Sequence, residues 1–180
     1  MPDRDTDASI VESCRRGDRD AFRALYEAHK DKVYSICLYF FHGDTAEAAD
    51  VTQEVFLKLF AAIGSFRGDA VFSTWLYRLV RNACLDASRR KTARARAVES
   101  PGISVPTQED DLLRAHTAQT VGNAVSSLPP EFRLPILLRY FKGFSYQEMS
   151  AAMNCSMGTV ASRLNRGHKL LAKLLRGSDV

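Results

Sequence analysis

The chain has no apolar run approaching the roughly 18 residues that a membrane-spanning helix requires. Its start, MPDRDTDASIVESC, is acidic and polar and carries no signal-peptide pattern. The expectation is a cytoplasmic protein without membrane insertion. Only four cysteines occur in 180 residues, Cys14, Cys37, Cys84 and Cys155. They are far apart and form no C-x-x-C pair, which argues against a zinc site. No H-x-E…C-x-x-C signature, P-loop or metal-ligand cluster is present, so neither catalysis nor a cofactor is expected. No segment alternates apolar and polar residues as a half-buried strand would, and the expected fold class is all-α.

What is present is helical periodicity with an uneven distribution of charge. The net charge is only +4, but Ser88 to Arg96 holds five basic residues and no acid, and Val160 to Arg176 holds five more and no acid. Glu99 to Asp111, between them, carries four acids and no base. Two basic faces separated by an acidic strap point to two contacts with one polyanion.

The segment Ser65 to Arg90, SFRGDAVFSTWLYRLVRNACLDASRR, organises the first half. Leu76, Leu79, Val80, Ala83, Cys84 and Ala87 recur at three- and four-residue steps and line one helix face. Arg78, Arg81, Asn82, Asp86, Arg89 and Arg90 occupy the other. Phe66, Arg67, Phe72, Trp75 and Tyr77 set aromatic rings beside guanidinium groups, a combination that stacks on unstacked bases and neutralises phosphate. The plainer reading is an amphipathic helix with a solvated basic face and aromatics in the core.

Residues 1 to about 8 are expected to be disordered. A short helix around Ile10, Val11 and Cys14 stops near Gly17. A longer one carries Phe22, Leu25, Tyr26, His29, Val33, Ile36, Cys37 and Phe40 on a stripe and ends at Gly43, with His29 a packed side chain rather than a ligand. Cys37 and Cys84 fall on apolar faces as reduced core residues; Cys155 lies in a turn. Asp44-Thr-Ala-Glu47 opens a third helix with an N-cap acceptor, and Gly64 is expected at its stop. The spacing predicts one bundle over residues 8–91, a flexible tether over 92–111 and a second helical domain over 112–176, with a first helix from about Leu112 to Val125. Pro135 fits its helix only in the first turn; deeper, it removes a backbone bond.

Ser145-Tyr-Gln-Glu148 is a capping box. The helix that it opens buries Met149, Ala152 and Met153 and stops at Asn154, a residue that tolerates left-handed geometry. Ser156 caps the next helix, whose Val160 and Leu164 point inward. Short helix, turn, longer basic helix is helix-turn-helix spacing. Ser156, Thr159, Ser162, Arg163, Arg166 and Lys169 then fall on the outer side, where a recognition helix reads the major groove. A surface hairpin with a solvated basic face is the plainer alternative. An ordinary helix-turn-helix repressor or activator, binding a palindrome as a homodimer, also fits the second half alone.

Three blocks in order, DVTQEVFLKLF, SFRGDAVFSTWLYRLVRNACLD and LPPEFRLPILLRYFKGFSYQEMSAAMNCSMGTVASRLNRGHKLL, resemble a bacterial RNA polymerase sigma factor of the extracytoplasmic-function group (group IV). The likeness covers about residues 10–175. It implies core RNA polymerase and promoter DNA as partners, an anti-sigma factor as regulator and a stress or envelope regulon. By that likeness Asp50, Gln53, Glu54, Phe56 and Lys58 match the polymerase-docking helix, although the residues alone read Asp50, Gln53 and Glu54 as a solvated face. The second block, with Phe66, Arg67, Phe72, Trp75, Tyr77, Arg78, Arg81, Asn82, Arg89 and Arg90, matches the segment that melts and reads the minus-ten element. The helix-turn-helix matches the minus-thirty-five reader. Where Ser150, Asn154 and Ala161 stand, the family usually has alanine, glycine and often a basic residue.

Overall fold

The computed structural model describes residues 3–68, 71–97 and 114–176. They form eight α-helices and no strand: α1 (Asp3–Arg15), α2 (Arg19–Phe40), α3 (Thr45–Ala62), α4 (Phe72–Ala97), α5 (Arg114–Ser126), α6 (Pro130–Lys142), α7 (Tyr146–Met153) and α8 (Met157–Arg176). The all-α class is as the periodicity required.

Helix starts follow their caps. Asp18 Oδ1 accepts from the backbone N–H of Asp20 at 2.9 Å and of Ala21 at 3.1 Å to open α2. Asp44 Oδ1 accepts from Glu47 N–H at 3.0 Å to open α3, and its other oxygen takes an ion pair from Lys91 of α4 at 3.1 Å. The box at Ser145 is complete, with Glu148 reaching back to the Ser145 backbone at 2.8 Å. Such caps each contribute about 1 kcal/mol by satisfying amides that the first turn cannot.

In the first half, α2, α3 and α4 bury Leu25, Ile36, Phe40, Leu59, Leu76 and Val80 completely or nearly so. Each large apolar side chain removed from water contributes roughly 1.5–3 kcal/mol. His29 is buried there against the Phe72 ring, centroids 5.4 Å apart. Cys37 and Cys84 face each other across α2 and α4, Sγ to Sγ 3.9 Å; the hydrogen bond with Cys37, together with burial, pushes the Cys84 thiol well up and keeps it protonated. The second half buries Leu137, Leu138, Met149, Met153, Val160 and Leu164. The halves then close on each other, with α7 lying on α4 and α6 on α2.

Two expectations need correction. The chain is helical from Asp3, not disordered to residue 8. Residues 92–97, assigned to the tether, continue α4, because alternating alanine and arginine are strong helix formers. The rest of that tether, 98–111, lies outside the described residues, as do the first two residues of the expected second domain, 112 and 113. Gly64 follows the end of α3, within a single 3-10 turn, Ile63–Ser65. Pro135 lies inside α6, beyond its first turn, leaving the Glu131 carbonyl without its usual helical donor.

Helices α6 and α8 touch at Gly167, where a Cβ would meet Ile136 Cγ1 at 3.3 Å and the Phe132 carbonyl oxygen at 3.5 Å. Replacement by leucine overpacks this contact, so Gly167→Leu is expected to lower stability by roughly 1–3 kcal/mol in urea unfolding. Gly167→Ala is expected to stay within about 1 kcal/mol, because alanine's helix propensity offsets the tight fit.

Candidate polymerase and promoter interface

Helix α4 presents three faces. One is the buried apolar stripe. A second carries Trp75, Arg78, Asn82 and Arg89, at helical steps; Arg78, Asn82 and Arg89 are exposed and Trp75 half-buried. Ahead of it, Phe66, Phe72 and Trp75 form an aromatic group, with Phe66 and Trp75 centroids 5.0 Å apart and Phe72 6.1 Å from each. Phe72 is buried and anchors the group to His29, whereas Phe66 and Trp75 keep part of their rings in water and Arg67 is exposed beside them. Two rings over a fixed third make a shallow apolar step bordered by guanidinium groups, suited to an unstacked base.

The third face turns toward the second half. Tyr77 is 4% exposed, with Phe144 edge-on at 5.2 Å and the Lys142 ammonium 5.8 Å from its ring centroid; burial pushes its phenol up. Arg81 is half-buried and donates to Asn82 Oδ1 at 3.0 Å. Burial, and then the nearby Arg163, pull its guanidinium below the usual range. Arg81, Leu85 and Arg89 of α4 and Leu134, Met153 and Arg163 of the second half line a cleft of about 550 Å³.

On α3, Asp50 and Gln53 are exposed. Glu54 is tied down, pairing with Lys58 at 2.6 Å and with Arg90 of α4 at 3.0 Å; the Lys58 hydrogen bond, ahead of that from Arg90, holds its carboxyl below the usual range. Phe56 is buried, its ring edge-on to Tyr26 at 4.7 Å; it continues the core stripe of α3 and offers no surface for docking. Sequence reasoning missed Leu57 and Phe60, which are 63% and 56% exposed on the face of Asp50 and Gln53. Their signal was present: both fall off the Val51, Val55, Leu59 stripe, and an apolar residue off the stripe is an exposed one.

In the helix-turn-helix, Asn154 takes the left-handed turn at φ 47°. The Ser150 hydroxyl donates to the Cys155 carbonyl at 2.5 Å across that turn, which gives this serine a local task. Ser156 Oγ caps α8 by accepting from Thr159 N–H at 3.1 Å. Ser156, Ser162, Arg166 and Lys169 are exposed, Thr159 is half-buried and Arg163 is half-buried against the cleft.

Residues 25–94 match the family model for sigma-70 region 2 and residues 118–171 the model for sigma-70 region 4, together more than half of the chain. The chain belongs to the sigma-70 family. This sigma factor is 33% identical to the RNA polymerase sigma-H factor of Pseudomonas aeruginosa, covering 98% of this chain and 97% of that one. It is 32% identical to the extracytoplasmic-function sigma factor SigW of Bacillus subtilis over 92% and 95% of the two chains. With the sigma-E factor of Escherichia coli K12 it shares 35% identity over 95% of each, so the sigma factor is of the extracytoplasmic-function type. Among solved structures, CnrH in complex with the cytosolic domain of CnrY matches with a TM-score of 0.68 and 25% identity, over 95% and 97% of the chains. The Bartonella quintana sigma factor RpoE, bound to the anti-sigma factor NepR, shares the fold, with a TM-score of 0.72 at 22% identity over 86% and 96%.

The buried and half-exposed rings of the aromatic group are separable. Phe72→Ala is expected to destabilise the fold by roughly 3–5 kcal/mol, measured by urea unfolding, as for other buried phenylalanines. The exposed Arg67→Ala is expected to leave stability within about 0.5 kcal/mol.

Proposed function

We propose that this sigma factor divides its work between its two halves, as follows. It binds core RNA polymerase and directs promoter recognition, melting and initiation. The observation that carries this reading is that both sigma-70 regions match in order along one chain. Residues 8–91 dock on the polymerase and handle the minus-ten element, 92–111 connect, and 112–176 read the minus-thirty-five element. Asp50 and Gln53, joined by Leu57 and Phe60, form the docking face; Glu54 and Lys58 brace it through their mutual ion pair. Phe66 and Trp75 stack extruded bases, with Phe72 as their support and Arg67, Arg78, Asn82, Arg89 and Arg90 along the strand. Ser156, Thr159, Ser162, Arg163, Arg166 and Lys169 line the groove-reading side of α8.

Magnitudes explain the need for a partner. Opening five base-pair steps costs roughly 7 kcal/mol at about 1.4 per step. Stacking two bases on the exposed rings returns roughly 2–6 kcal/mol. The chain alone therefore holds no bubble, and the polymerase supplies the rest. The protein works in the cytoplasm as a non-catalytic factor serving a stress or envelope regulon. The Bartonella quintana factor is bound to the anti-sigma factor NepR in its complex, and in the same way an anti-sigma factor binds this chain. No helix among the described residues is long and apolar enough to cross a membrane.

Run-off transcription with purified core polymerase and genomic DNA tests this reading. Discrete transcripts that depend on the added chain are expected, and their absence at every natural start site contradicts it. Arg166→Ala is expected to weaken upstream-element binding by roughly 1–3 kcal/mol in a sequence-selective manner. Equal losses on specific and scrambled DNA would assign Arg166 to phosphate alone.

A further inference from the structure

We infer that Asn165 of α8 is a specificity-determining residue whose carboxamide reads the major-groove edge of one adenine in the upstream promoter element. The inference deepens the minus-thirty-five reading proposed for α8 and rests on it.

The packing of α8 fixes which side faces out. Val160, Leu164 and Gly167 are its buried residues. At Gly167 the helix lies so close to α6 that a Cβ would stand 3.3 Å from Ile136 Cγ1, which leaves α8 little freedom to roll. Successive side chains of a helix are about 100° apart around its axis. On that wheel Ser162 and Lys169 stand opposite the buried line to within about 15°, and Asn165 and Arg166 flank them at about 50° on either side. All four are exposed, and their side chains have no hydrogen-bond or ion-pair partner among the described residues. Three others assigned to the groove-reading side are set away from this centre and are already engaged. The Ser156 and Thr159 hydroxyls bond each other at 3.0 Å in the cap. Arg163 is half-buried, with Nη1 3.9 Å from the Cys155 sulfur.

Asparagine is a poor choice for the exposed interior of a helix, where alanine, lysine or arginine favour the fold. What it supplies here is chemical. A carboxamide carries an acceptor and a donor side by side in one plane. Oδ1 accepts from the adenine N6 amino group while Nδ2 donates to N7, a pair that adenine alone presents in the major groove. Guanine sets two acceptors, N7 and O6, along the same edge and leaves Oδ1 facing one of them. Access is favourable as well. Gly158 and Ala161 are exposed and carry no bulk, so the helix can enter the groove closely, and no acid stands between Val160 and Arg176 to repel phosphate. Arg166, on the other flank of the same face, has the two-pronged donor set that guanine accepts.

The test takes promoter fragments from the start sites found by run-off transcription with core polymerase and genomic DNA. Each base pair of the upstream element is changed in turn, and initiation is compared for the full wild-type chain and Asn165→Ala, a change at an exposed, unpartnered side chain that leaves the fold intact. At one position the wild type is expected to favour adenine, on one strand or the other, by roughly 5–150-fold over every other base, the range of a single bidentate base contact. Asn165→Ala is expected to lose that preference and to keep those at the other positions. Replacing the same adenine by 7-deazaadenine, which removes the N7 acceptor alone, is expected to weaken the wild type several-fold and to leave the variant unchanged. A wild type with no adenine preference overturns the inference, as does a variant that loses equally on all fragments or keeps every base preference; each of these leaves the sigma-factor reading standing. The absence of any transcript that depends on the wild-type chain overturns that reading and the inference with it.

Discussion

Helix α4 has more to satisfy than an ordinary surface helix. One stripe must stay in the core of the first half, where Leu76, Val80, Ala83 and Cys84 are buried. A second face, with Arg78, Asn82 and Arg89, stays wet. The remaining face is covered by the second half, where Tyr77 is buried and Arg81 half-buried. Everything else is arranged around that division. The aromatic group stands at the helix start, the side of α3 that carries Glu54 is braced to α4 through Arg90, and the second half leans on its third face.

The electrostatics follow the same division. Carboxylates near α4 are placed as braces rather than as neutralisers: Glu54 holds Lys58 and Arg90, and Asp44 holds Lys91 while capping α3. Arg78 and Asn82 remain outward and exposed. The first half therefore keeps a basic surface although the whole chain is only +4. On α8, Arg166 and Lys169 lie on the exposed side while Gly167 admits Ile136 on the buried one, so one helix packs on one side and keeps basic groups in solvent on the other.

Much of this was legible from local pattern. The caps at Asp44, Ser145 and Ser156 are spaced by the helix itself, and Asn154 marks its turn by chemistry. The core stripe of α4 and the inward set of the helix-turn-helix emerged from periodicity alone. What escaped depends on distant contacts. Tyr77 lies at the edge of the stripe of its own helix, and Phe144 and Lys142, far along the chain, cover it. Phe56 was placed on a docking surface by likeness although its register with Val55 and Leu59 puts it in the core. Arg133, buried and donating to the Leu128 and Phe40 carbonyls, carries no local mark at all, because a buried arginine is identifiable only from the carbonyls that it reaches.

The central claim, which rests on the proposed function, is that the wet face of α4 meets promoter DNA. Site-specific photocrosslinking from the exposed position Arg78 to a promoter fragment, with core polymerase present, tests it most directly. The account predicts crosslinks to the minus-ten element. Crosslinks to no promoter position in a complex that initiates RNA synthesis would contradict it.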